Sequence, residues 1–147
     1  MTKERKYSII ENIVQGQNVN IYDQVNLYKC TIGNNTKIDS FVYIEEGVTI
    51  GENCKIRPFV FIPSGVKIGN SVFIGPHVTF TNDRYPKIGR AWKLESTIVE
   101  DGVSIGASSV ILPGIKIGQN SLIGAGSVVK KNVPANSKLV GDRLIPL

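Results

Sequence analysis

The chain has 147 residues and one histidine, His77. Close behind it stand Asn82, Asp83, Arg84 and Tyr85, with Trp92 further along the same stretch. An imidazole titrates near neutral pH and can take a proton from an attacking nucleophile or orient it by a hydrogen bond. An amide, a carboxylate and a guanidinium side by side can bond hydroxyls or an amine and meet a diphosphate. Tyr85 and Trp92 can stack on a base or cover apolar surface. The bland readings are a histidine that merely packs at a surface and a loop that packs on a neighbouring subunit. Cys30 and Cys54 read as buried reduced thiols in a packing role. One histidine cannot supply a zinc site built from several, so no metal is expected.

What must position these residues is a repeat. Every sixth residue from Ile32 is apolar: Ile32, Ile38, Ile44, Ile50, Ile56, Ile62, Ile68, Ile74 and Phe80. A second run in the same step is Val99, Ile105, Ile111, Ile117, Ile123 and Val129. A helix at about 3.6 residues per turn would carry such anchors around its whole cylinder. Val48-Thr49-Ile50 and Val66-Lys67-Ile68 alternate in, out, in, as strands do. Turn chemistry follows each anchor, as in Gly33-Asn34-Asn35, Gly51-Glu52-Asn53 and Gly118-Gln119-Asn120.

Short strand, bend and short strand in fixed register make a solenoid, predicted to be all-β and to close every 18 residues as a three-sided coil. About seven coils at about 4.8 Å each would stack into a prism about 34 Å tall. Val19, Ile21, Val25 and Leu27 suggest a further coil slipped by one residue, as in a capping repeat. Only the segment from about 81 to 97 breaks the period, and such breaks tend to collect on a binding face. The column rule puts Phe41, Phe59 and His77 in one outward row and Tyr43, Phe61 and Thr79 in the next. Exposed aromatics in a row mark a protein interface, and closed symmetry makes a homo-oligomer the economical reading.

Composition sets the remaining bounds. With 41% apolar and 20% charged residues, the chain reads as a single domain, 1–147. No apolar run approaches the roughly 20 residues of a membrane span, and the opening Met1-Thr2-Lys3-Glu4-Arg5-Lys6 has no apolar stretch behind it. No membrane partner is expected, and the location reads as cytoplasmic. Lys and Arg number 17 against 12 Asp and Glu, a surplus that attracts anions. The basic residues are scattered, which argues against nucleic acid and for a phosphorylated small molecule.

Two segments carry a family resemblance. Ile105-Gly106-Ala107-Ser108-Ser109-Val110-Ile111-Leu112-Pro113-Gly114, followed by Ile123-Gly124-Ala125-Gly126-Ser127, resembles the hexapeptide-repeat acyltransferases that fold as left-handed β-helices. Phe73-Ile74-Gly75-Pro76-His77-Val78-Thr79-Phe80-Thr81-Asn82-Asp83-Arg84-Tyr85-Pro86 is similar to N-acetyltransferases of nucleotide-linked amino sugars, especially 3-amino sugars on dTDP or UDP. The chain departs from the family's common Gly-Asn-Pro-Ala ending, with Gly141-Asp142-Arg143-Leu144-Ile145 in its place.

The resemblance implies a homotrimer with sites between subunits, acetyl-CoA as co-substrate, and a role in surface polysaccharide biosynthesis. It implies His77 as base or orienting partner, and Asn82, Asp83, Arg84 and Tyr85 at the substrate. The repeat count puts Gly106 to Ser108 one coil beyond His77, which nominates the Ala107 amide for the oxyanion. Gly106, Ala107, Gly124, Ala125, Lys130, Lys131 and Arg143 are expected to meet the coenzyme. For each lysine, a solvated surface is the competing reading. An O-acetyltransferase on the same scaffold and a non-enzymatic structural β-helix remain alternatives.

Overall fold

The computed structural model describes residues 7–147, and the charged opening 1–6 lies outside the described residues. All regular elements among them are short β-strands. The chain winds into a left-handed parallel β-helix of about seven coils with three flat faces. The first face runs from Ile9–Glu11 to Val128–Val129 in seven strands, and the second from Val14–Gln15 to Lys116–Ile117 in six. The third face starts at Asn20–Ile21 and ends with Ser137–Val140 and an antiparallel strand, Arg143–Pro146.

The anchors form the core. Ile38, Ile44, Ile56, Ile62, Ile74, Ile105, Ile111 and Ile123 are wholly buried, one above another inside the prism. Each such side chain contributes about 1.5–3 kcal/mol by leaving water. Tyr43 pairs with Phe61 and Phe61 with Thr79, the expected offset of 18. In the first coils the offset is 17, as in Asn20 with Lys37, so the predicted slip is real. Across the break Val66 pairs with Thr97 and Ile74 with Ile105, an offset of 31. The extruded segment therefore inserts 13 residues without disturbing the winding, and Thr97 already belongs to the returning strand, Thr97–Val99.

Each corner uses a residue in the left-handed backbone region, and the three corners use different side chains. Between second and third faces stand Asn35, Asn53, Ser71 and Asn120, with φ from 55 to 58°. Between first and second faces stand Gly47, Gly65 and Gly114, and the inserted loop leaves there. Between third and first faces stand Phe41, Phe59 and His77, with φ of 63, 65 and 62°. The turn-opening glycines do another job. A Cβ on Gly33 would lie 2.6 Å from the Gly51 carbonyl carbon, so this position is kept bare by the coil stacked against it.

Candidate active site

The His77 ring lies parallel to the Phe59 ring, with centroids 4.8 Å apart and planes 6° apart. Phe59 stacks in turn on Phe41, at 4.8 Å and 4°. Three rings in one column follow directly from the coil repeat, and Tyr43 with Phe61 forms the neighbouring column at 5.6 Å. Phe41, Tyr43 and Phe59 are 47%, 43% and 50% exposed, so the row faces outward as the spacing predicts. The His77 side chain is exposed at the upper end of this column. Its backbone is pinned: the His77 N–H donates to the Pro58 carbonyl at 3.1 Å.

The next coil up supplies the amide nominated for the oxyanion. The Ser108 N–H donates to the Pro76 carbonyl at 2.9 Å, which seats Ala107-Ser108 directly over Pro76-His77. Among the described residues, the Ala107 N–H has no hydrogen-bond partner, while its carbonyl accepts from the Gly126 N–H at 2.8 Å. Gly75 cannot carry a side chain here, because a Cβ would come within 2.7 Å of the Ala107 nitrogen and 2.9 Å of the Ile105 oxygen. Gly106 and Gly124 occupy the same row above it. A Cβ on Gly106 would collide with the Ala125 nitrogen. These glycines let successive coils stack backbone against backbone just above the imidazole.

The loop residues are held by one another. Arg84 Nε donates to Glu95 Oε2 at 2.8 Å and Arg84 Nη2 to the Pro113 carbonyl at 2.6 Å, clamping the loop's two limbs to the coil. Glu95 reinforces the charged form of this guanidinium. Asn82 Nδ2 donates to the Ser64 carbonyl at 3.1 Å. Asp83 Oδ1 accepts from the Tyr85 N–H at 3.1 Å and lies 3.7 Å from Arg90 Nη2. Leu94 packs over Gly65. Tyr85 is 66% exposed, with the Arg90 guanidinium 5.8 Å from its ring centroid, and Trp92 is 50% exposed. Neither Glu95 nor Arg90 carried a sequence signal for these contacts, which depend on how the loop folds back.

His77 and the loop leave the coil at adjacent corners, on either side of the strand Thr79–Phe80. Among the described residues no hydrogen bond or ring contact joins His77 to Asn82, Asp83, Arg84 or Tyr85.

Two coils above His77, Lys130 and Lys131 line a cavity of about 350 Å³ together with Val128, Val133, Leu139 and Leu144. Lys130 Nζ sits 3.7 Å from Asp142 Oδ1. Arg143 is exposed on the terminal strand and does not line this cavity. The cavity exists because the last residues turn back as a hairpin, with Val140 opposite Arg143. The Gly141-Asp142 pair between two alternating stretches was its sequence signal. Cys30 and Cys54 are buried, and burial pushes the Cys30 thiol up to about 11, so neither is a ready thiolate.

The family model described as bacterial transferase hexapeptide (six repeats) matches residues 29–64 and 96–131, the regular coils on either side of the loop. The chain carries the hexapeptide repeats of this family on both sides of the loop. Among solved structures it is similar to AntD, an N-acyltransferase from Bacillus cereus, in complex with dTDP and 3-hydroxybutyryl-CoA. The identity is 26%, the TM-score 0.81, and the match covers 92% of this chain and 81% of that one. An AntD variant holding dTDP-4-amino-4,6-dideoxyglucose and coenzyme A matches at 25% identity and TM-score 0.80, over 92% of this chain and 82% of that one. PerB from Caulobacter crescentus, with CoA and GDP-perosamine, shares the fold at 18% identity and TM-score 0.64, over 93% of this chain and 56% of that one. No curated protein matches the sequence.

Proposed function

We propose that the hexapeptide-repeat chain is an acyl-CoA dependent N-acyltransferase that acts on the amino group of a nucleotide-linked sugar. The observation that carries this is His77, held at the end of a rigid aromatic column beneath the unpartnered Ala107 N–H. Its likeness to AntD complexes holding coenzyme A, acyl-CoA and a dTDP-linked amino sugar supports the same reading. The neutral amine attacks the thioester carbonyl, and a C–N bond forms. His77 removes the ammonium proton and the Ala107 amide steadies the oxyanion. The intermediate collapses to amide and free thiol, which takes up a proton.

Lys130 and Lys131 offer positive charge to the coenzyme's phosphates, and the bare backbone of Gly106-Ala107 and Gly124-Ala125 gives its thioester arm close approach. The exposed aromatic row is read as the seam of a homotrimer. A second chain placed there would bring its loop, with Asn82, Asp83, Arg84 and Tyr85, toward this chain's His77. Acetyl as the acyl group, surface polysaccharide as the product's destination and the cytoplasm as the compartment belong to the same reading. No helix of the described residues is long and apolar enough to cross a membrane.

Free thiol release tests the function. Turnover with dTDP- or UDP-linked amino sugars and none with the corresponding hydroxy sugars is the expected result, whereas turnover with the hydroxyl compounds alone overturns it. Light scattering of wild type against Phe59→Glu tests the seam, with conversion of trimer to monomer expected.

A further inference from the structure

Two coils below His77, the same corner holds a buried carboxylate. Asp39 is only 7% exposed, and a carboxylate is seldom buried without a cation beside it. Arg57 Nη1 lies 3.0 Å from Asp39 Oδ2 and Lys37 Nζ 3.4 Å from Asp39 Oδ1. Asp39, Arg57 and Gly75 are successive rungs of one row: the Asp39 N–H donates to the Ile56 carbonyl and the Arg57 N–H to that of Ile74. This contact is one of charge, because Asp39 Oδ2 has no hydrogen-bond partner among the described residues, and it draws the Nη1 end of the Arg57 guanidinium toward the coil. Its Nε and Nη2 have no partner among the described residues, and the side chain stays 38% exposed.

The third face adds a second cation. Lys37 and Lys55 stand directly opposite on neighbouring strands, an arrangement that is destabilising for like charges. Lys37 is answered by Asp39 and by the Tyr22 ring, 4.9 Å from its ammonium. Lys55 is exposed and has no partner among the described residues. Three cations near one carboxylate leave a net positive patch, and a guanidinium drawn in by its Nη1 keeps Nε and Nη2 as a fork suited to a phosphate.

We propose that Arg57 and Lys55, with Arg57 aimed by Asp39, form a subsite for the diphosphate of the nucleotide substrate. The assignment rests on the function proposed above, and axial position picks this ligand over the coenzyme, which also carries a diphosphate. The subsite is one coil below His77, and the cavity at Lys130 and Lys131 is two coils above it. A rung is about 4.8 Å. The two co-substrates thus approach the imidazole from opposite ends of the prism.

Calorimetric titration of the intact protein with dTDP, and separately with coenzyme A, tests this. Arg57→Ala is expected to weaken dTDP about 10- to 100-fold, Lys55→Ala about 3- to 10-fold, and neither to change the coenzyme affinity. Arg57→Lys keeps the charge, loses the fork and should fall between wild type and Arg57→Ala. In turnover, Arg57→Ala should raise KM for the nucleotide sugar and leave kcat within about twofold. Unchanged dTDP affinity in both alanine variants overturns the subsite, and so does a loss confined to coenzyme A. Should Arg57→Ala fail to fold, the exposed Lys55→Ala decides alone. A wild type without thiol release on any amino-sugar nucleotide sinks the function instead. The anion subsite is then judged with inorganic pyrophosphate: binding that Arg57→Ala weakens keeps it, and binding that the variant leaves unchanged removes it.

Discussion

The aromatic corner and the asparagine corner share one backbone. Phe41, Phe59 and His77 turn with φ between 62 and 65°, and Asn35, Asn53 and Asn120 with φ between 56 and 58°. Asparagine tolerates that region because its short polar side chain can bond locally, whereas a bulky side chain there costs roughly 1–2 kcal/mol. The asparagine corner behaves as a scaffold should. Its side chains bond along the stack: Asn34 Oδ1 accepts from the Gln17 N–H at 2.7 Å and Asn70 Oδ1 from the Glu52 N–H at 2.8 Å. The aromatic corner bears the steric cost three times over, and its rings bond to nothing but one another. Where asparagine would turn the chain at lower cost, the repeat instead leaves a stacked aromatic edge exposed.

Five substitutions break or sharpen this contrast. His77→Ala should lower kcat by about 10²- to 10⁴-fold at neutral pH and leave the melting temperature nearly unchanged, read by thiol release and calorimetry. Equal turnover would take the imidazole out of the chemistry. Gly75→Ala forces a methyl against the Ala107 amide, so denaturant titration should show a loss of about 1–3 kcal/mol, together with reduced activity. Gly47→Ala meets open space and is the control for backbone strain alone.

Asn53→Ala, at the scaffold corner, should cost about 1 kcal/mol of stability and leave kcat/KM untouched. The smallest effect is expected at Glu100. Lys116 and the Gln119 N–H hold its carboxyl below the ordinary value of 4.5. A lowered folded-state pKa means that the stabilisation is present above the unfolded value and fades as pH falls through the folded one. Glu100→Gln should therefore melt slightly below wild type at pH 6, and the gap should close as the pH drops well under 4.5.

The coil was legible because one rule repeats. Ile32 to Phe80 fixes inward positions, turn residues fix the corners, and an offset of 18 then aligns Phe41, Phe59 and His77. Excising the break placed Ile105 over Ile74, as the strand register has it. The loop follows no such rule. Arg84 offers a cation to any anion in sequence terms, yet in the fold it ties Glu95 to the Pro113 carbonyl, a choice made by contacts 11 and 29 residues away. The terminal hairpin had a short signal in Gly141-Asp142, but the cavity it closes over Lys130 and Lys131 needed the third dimension.

The amino-acid order alone determined the period, the inward column and the neighbours along each edge, because these are local and recur every six residues. Only the tertiary structure decided that Asp39 and Arg57 pair inside a corner, that the Ala107 N–H is left open, and that His77 and the loop leave by different edges. Those facts depend on which groups meet across coils and which donors remain after the ladders have taken theirs.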